Sequence, residues 1–159
     1  MADAWRSGYR GILPQGFLDR LDFADRVDVW EDSIRAAWND GRPVDGPEHG
    51  PEMFVADRSG EVVGVTTVGA SRDESVPDGG ELWMLNVAAA HWGSGVGTAL
   101  LDTARHALEH RGFHRPLLWV FEVNERARSL YERSGWQPDG ATRHLEIADQ
   151  ELLEIRMRL

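Results

Sequence analysis

The sequence predicts a mixed α/β (α+β) fold arranged around one sheet. Its 159 residues suit a single domain, 1–159, with a sizeable core. Apolar runs of strand length alternate with stretches of helical periodicity. A glycine-rich turn, Gly93-Ser94-Gly95-Val96-Gly97, joins one such run directly to an amphipathic helix.

The elements follow in order. Trp5, Tyr9 and Ile12 lie at helical spacing, which predicts a helix over 2–12, ended by the run GILP because Pro14 cannot continue it. A second helix is expected from Asp22 to Asn39, with Val27, Trp30, Ile34, Ala37 and Trp38 as its apolar face. Residues 40–51, DGRPVDGPEHGP, are turn formers and predict a loop. A hairpin follows, turning at Arg58-Ser59-Gly60, with Phe54 and Val55 before the turn and Val62, Val63, Val65 and Val68 after it. Residues 71–80 form another loop, and 81–89 a buried strand. The helix after the glycines buries Val96, Leu100, Leu101, Ala104 and Leu108 and ends near Gly112. PLLWVFEV, 116–123, is a buried strand, and a short helix follows between an Asn124 N-cap and a Gly135 C-cap. TRHLEI and ELLEIRMRL complete the sheet.

Composition narrows the function. A net charge of −10 argues against a nucleic-acid partner. It favours cationic partners such as amines, or serves plain solubility. There is no cysteine, hence no disulfide, thiol nucleophile or thiolate metal site. All 17 basic residues are arginine, which removes a lysine base or Schiff-base former. No apolar run reaches membrane-spanning length and the N-terminus lacks a signal pattern, so a cytoplasmic protein without a membrane partner is expected.

A strand, a glycine turn and a helix N-terminus converge backbone N–H groups and a positive dipole end on one point, an arrangement suited to phosphate. The alternative is a tight turn with no ligand. A dinucleotide site needs its third glycine one position later than Gly97, and a nucleotide P-loop needs a lysine. His106 and His110 stand four apart but lack the glutamate of a zinc motif, so a solvated helix face is expected there and no metal.

Two motifs then carry a resemblance. Trp92-Gly93-Ser94-Gly95-Val96-Gly97 resembles the Arg/Gln-x-x-Gly-x-Gly/Ala acetyl-CoA loop of the GNAT superfamily of N-acetyltransferases, with Trp92 in place of Arg or Gln. Downstream, Asn124, Ala127, Leu130, Tyr131, Gly135 and Trp136 are similar to the family's N-x-x-A-x-x-L-Y-x-x-x-G-F/W pattern. The resemblance spans about Met53 to Leu159 and takes in WRSGYRGILP at 5–14. It implies a mostly antiparallel central sheet, splayed between the family's fourth and fifth strands and flanked by helices. The family begins with a strand before its first helix, whereas this sequence opens inside that helix. The strand at 53–57 is therefore expected to expose an edge, covered by a loop or by the second copy of a homodimer, or else to cost stability.

The resemblance also implies a reaction: transfer of an acetyl group from acetyl-CoA to an amine of a small molecule or peptide, by direct attack. Leu85, Asn86, Val87, Trp92, Gly93, Ser94, Gly95, Val96, Gly97, Thr98 and Asn124 are the expected cofactor-binding residues. A backbone N–H near Val87 is the expected oxyanion donor. Tyr131 is the expected general acid; the alternative is aromatic packing with a surface hydroxyl. Glu81, at the start of the splayed strand, is the candidate base, with a solvated charge or a water relay as alternatives and Glu122 as runner-up. Asn124 either contacts the pantetheine arm or serves only as an N-cap. Most tryptophans read as core, but Trp5 and Tyr9 belong to the helices that wall the acceptor pocket in related proteins. The rival reading is a catalytically silent acyl-CoA-binding module of the same fold.

Overall fold

The computed structural model describes residues 2–20, 38–39, 42–43 and 50–159. In chain order these form α1 (Ala2–Gly8), α2 (Gln15–Asp19), β1 (Trp38–Asn39), β2 (Arg42–Pro43), β3 (Glu52–Arg58), β4 (Glu61–Ala70) and β5 (Gly80–Val87). A 3-10 turn (Ala89–His91), α3 (Val96–His110), β6 (Leu117–Phe121), α4 (Glu125–Arg133), β7 (Gln137–Ile147) and β8 (Gln150–Arg158) follow.

The main sheet has the order β3-β4-β5-β6-β8-β7, and β1 pairs only with β2. Every neighbour in the main sheet is antiparallel except β5 and β6. That parallel contact is two residue pairs long, Glu81↔Leu117 and Leu82↔Leu118. The cause lies one residue on. On the β4 side, Thr67 faces Met84 and Val68 faces Leu82, so Trp83 is an extra residue, a bulge that bends the strand. Leu82 lies in the core cluster and Leu85 packs against it, three apart rather than two or four, because the bulge resets the alternation. Beyond Leu82 and Leu118 the strands part and leave a gap.

The core fills the side of the sheet under α3. Val68, Leu82, Leu118, Val120, Ile155 and Met157 meet Leu101, Ala104 and Leu108 of α3, with Trp136 closing the end. Of the expected α3 stripe, Leu100, Leu101, Ala104 and Leu108 are buried and Val96 is half-buried. Trp119 and Phe121 alternate with Leu118 and Val120 along β6, so they face the other side of the sheet. Tyr9, just past the end of α1, packs edge-on against Phe121 there, with ring centroids 5.8 Å apart.

Several element bounds differ from expectation. The first helix stops at Gly8, not at residue 12, because Gly8 and Gly11 (φ 80°) weaken it before Pro14 does. Pro14 instead opens α2, its carbonyl accepting from Phe17 and Leu18. The expected helix from Asp22 to Asn39 falls mostly outside the described residues, but it does not extend through Trp38–Asn39, which are strand. Arg42–Pro43 also form strand within the expected loop over 40–51. The sixth strand ends at Phe121, because Glu122 and Val123 turn into the Asn124 cap. β7 begins five residues earlier than expected, at Gln137: its Pro138-Asp139-Gly140 signal is a register break on an edge strand, where proline is tolerated. Among the described residues β3 is the opposite edge, with Val55 exposed on it.

Candidate functional site

The gap begins where the β5–β6 ladder stops, and its backbone chemistry follows from register. The Ala88 N–H donates to the Val63 carbonyl (2.9 Å), in a register where Val87 faces Gly64 and Leu85 faces Thr66. Antiparallel ladders alternate pairs that exchange hydrogen bonds with pairs that do not. Ala88, Asn86 and Met84 therefore turn their backbone groups to β4, and Val87 and Leu85 turn theirs into the gap. The Val87 carbonyl accepts from Trp92 Nε1 (2.9 Å).

The glycine turn caps the open end. Gly93 (φ 74°) and Gly95 (φ 88°) are left-handed, and a Cβ on either would meet nothing within 4 Å. The turn needs glycine for its backbone, and the space above is open. At Gly97 the reason is contact: a Cβ would come 3.1 Å from Leu130 of α4. No side chain caps α3, and among the described residues nothing accepts from the N–H groups of Gly93, Gly95, Val96, Gly97 or Thr98. The Ser94 hydroxyl is committed to the His91 carbonyl (2.7 Å). The Trp92 indole carries the Arg126 guanidinium 3.5 Å above its ring. The result is a nest of unpaired amides with a cation beside it, which fits a diphosphate by donor chemistry and charge.

Tyr131 sits in the core cluster and is 7% exposed as a whole residue. Burial raises its pKa and the nearby Tyr9 adds to the shift. Tyr9 is pushed up to about 12, by burial first and by the Glu154 carboxylate second. Trp5 lies 4.7 Å from the Tyr9 ring. Phe121 lies directly across from Glu154 in the β6–β8 register, and Glu154 across from Arg143. Glu154 is buried and accepts from Arg143 Nε (2.6 Å). Trp5, Tyr9 and Tyr131 are thus brought together, with Phe121, Glu154 and Arg143 beside them.

The other expected residues are placed differently. Glu81 is 1% exposed and its carboxylate is occupied, accepting from the Arg72 backbone N–H (2.7 Å), Nε (3.2 Å) and Nη2 (2.6 Å). The solvated alternative does not hold, because the 71–80 loop folds Arg72 over it. Glu122 lies in an exposed turn after β6, its backbone tied to Leu153 and Arg128. Asn124 is the N-cap of α4, its Oδ1 accepting from the Ala127 N–H (3.2 Å). Asn86 is buried with Nδ2 unpartnered among the described residues. His106 Nδ1 donates to the Asp102 carbonyl (2.7 Å). Among the described residues no group of three or more His, Cys, Asp or Glu side chains could hold a metal, and no helix is long and apolar enough to cross a membrane.

Sequence reasoning missed Arg126, Glu154 and Arg143. Arg126 reads as an exposed helix charge. Alternation along ELLEIRMRL does put Glu154 and Arg156 on one face, but only the register shows that this face carries Trp119 and Phe121.

The family model described as the acetyltransferase (GNAT) family matches residues 16–136. The uncharacterized N-acetyltransferase YuaI of Bacillus subtilis (strain 168) is 29% identical over 155 residues, 96% of this chain and 79% of that protein. The probable N-acetyltransferase Rv2775 of Mycobacterium tuberculosis is 30% identical over 139 residues, 87% of this chain and 71% of that protein. Among solved structures, the PaiA N-acetyltransferase from Thermoplasma acidophilum in complex with coenzyme A shares the fold. Its TM-score is 0.71 at 14% identity, covering 97% of this chain and 86% of that one.

Proposed function

Because the chain belongs to the acetyltransferase (GNAT) family, we propose that it transfers an acetyl group from acetyl-CoA to a primary amine by direct attack. The observation that carries this reading is the set of five amides at the glycine turn that are unpaired among the described residues, opening onto a gap lined by the backbone of Leu85 and Val87. The amides of Gly93 and of 95–98 hold the diphosphate together with Arg126, and Leu85, Val87 and Asn124 line the pantetheine arm. Acetyl-CoA supplies an activated acyl group as a thioester.

The chain's own residues then divide the work. The N–H groups of Leu85 and Val87 are fixed donors for the negative charge that develops on the carbonyl oxygen. The buried Tyr131 phenol stays protonated, so it can give its proton to the departing thiolate and regain one from solvent. Glu81, sealed under Arg72, anchors the loop and is not the base in this reading. Glu154 is ion-paired with Arg143 and so holds a negative charge beside the gap. It orients the incoming ammonium, whose proton leaves to water in the open gap.

The test joins calorimetry to thiol release over a panel of amines. Coenzyme A and acetyl-CoA should both give binding heat. Tyr131→Phe should lower kcat by roughly 10²–10⁴-fold while leaving coenzyme A affinity unchanged. No heat with either compound would remove the reading. Binding without turnover across the panel would favour the silent module.

A further inference from the structure

The net charge of −10 points to cationic acceptors, but the lining beside the gap has a different chemistry. On the sheet face that carries Phe121 lies a cavity of about 310 Å³, at the small end of ligand pockets (roughly 300–1,000 Å³). Trp119 contributes to its wall, one residue past the last β5–β6 pair, where the strands part. Arg72, Arg143 and Arg156 line it as well. The Arg143 guanidinium lies 4.3 Å from the Trp119 ring centroid and that of Arg156 5.7 Å.

A count of donors and acceptors decides what the cavity wants. Arg72 uses Nε and Nη2 on Glu81. Arg143 uses Nε on Glu154. Arg156 uses Nη1 on Asp73 and Ser75, and Nε on Asp139. Arg72 Nη1, both Nη of Arg143 and Arg156 Nη2 have no bond among the described residues, and each guanidinium presents five N–H donors. Trp119 Nε1 is buried and likewise unpartnered. Two carboxylates belong to the wall: Asp73 is already spent, its Oδ1 accepting from Ser75 and its Oδ2 from Arg156, while Glu74 is exposed and its two oxygens are fewer than the free guanidinium and indole donors. Free donors exceed free acceptors, so the wall suits an anionic oxygen ligand, and planar guanidinium forks match a carboxylate.

We propose that the acceptor is a zwitterion of amino-acid type, its carboxylate held by Arg143, Arg156 and Trp119 Nε1 and its amine turned toward Glu154 and the gap. The proposal rests on the acetyltransferase reading and names its substrate class. Arg143 and Glu154 are neighbours across β7 and β8, so opposite charges stand side by side, as they do in an α-amino acid. In the reaction the amine nitrogen forms the C–N bond as the C–S bond breaks. The ammonium loses one proton to solvent before attack and the nitrogen loses a second to solvent as the amide forms, while the thiolate takes a proton from Tyr131, which is reprotonated from solvent.

The experiment compares free amino acids with their carboxamides, which keep the amine and remove the anion. Wild type should prefer the acids by roughly 10- to 100-fold in kcat/KM, the value of hydrogen bonds to a charged group. Arg143→Gln and Trp119→Phe should each lower that ratio, through KM for the acids. A binding readout accompanies it: the indole N–H resonance lost in Trp119→Phe is followed in the wild-type protein, free and loaded with coenzyme A. It should move on titration with an amino acid and stay still with the carboxamide. Equal turnover of acids and amides, or an unmoved indole signal, overturns the proposal. Loss of coenzyme A binding with a responsive indole would instead overturn the acetyltransferase reading and leave the carboxylate site standing.

Discussion

At position 92 an indole stands where the family places Arg or Gln. The charge is supplied from elsewhere: Arg126, 34 residues on, stacks on that indole at 3.5 Å, while the same ring donates to Val87 O. Trp92 is thus a platform that ties the turn to β5 and positions a cation. Arg126→Gln is expected to weaken coenzyme A binding by about fivefold, close to the upper value for an exposed ion pair. Calorimetry in rising salt should show the difference shrink, because an exposed charge is screened. Trp92→Ala should cost more, since it removes both the platform and the bond to Val87. The placement of the glycine turn before α3 and of Tyr131 in α4 was legible because local motifs fix it. The pairing of residues 92 and 126 was not, because nothing in either segment announces a contact so distant in sequence. Glu81 shows the converse: its strand-end position matched a family pattern, and the fold spent its carboxylate on Arg72.

Among the elements, α3 was legible almost to the residue, since its apolar stripe, glycine start and Gly112 stop agree. α1 was not, because aromatic spacing outvoted Gly8 and Gly11. The origin of the gap was also hidden. A bulge at Trp83 changes register without breaking an apolar run, so ELWMLNV reads as an uninterrupted strand. The start of α3 gives a prediction of its own. Gly95→Ala forces a side chain into left-handed backbone at a cost of about 1–3 kcal/mol, in a place where nothing collides with the added methyl. The variant should fold with a melting temperature lower by a few degrees, and its methyl should project into the space of the proposed diphosphate site. Gly97→Ala crowds Leu130 at 3.1 Å and touches the Val87 side chain at 3.8 Å, so it should disturb packing more than binding. Thermal melts alongside coenzyme A titrations separate the two effects.

The molecule as a whole faces a problem that the gap creates. Its halves, β3-β4-β5 and β6-β8-β7, share a two-pair ladder, so other contacts must join them. On one face the α3 core does so. On the other, Arg156 of β8 reaches the loop before β5, donating to Asp73 Oδ2 and Ser75 Oγ, both at 2.8 Å. Burial pushes the Asp73 carboxyl up, but hydrogen bonds from Ser75 and Arg156 outweigh it and hold the pKa down to about 2. A depressed carboxylate stabilises the fold fully above its unfolded value, roughly 4, and that contribution is lost as pH falls toward the folded value. Asp73→Asn should therefore lower the urea midpoint at pH 6, by the equivalent of about 2 kcal/mol for hydrogen bonds to a charged group. The difference from wild type should persist at pH 5, narrow between pH 4 and pH 2, and vanish near the lower end. A difference that stays constant across that window would mean that Asp73 holds the halves together through shape alone and not through its charge.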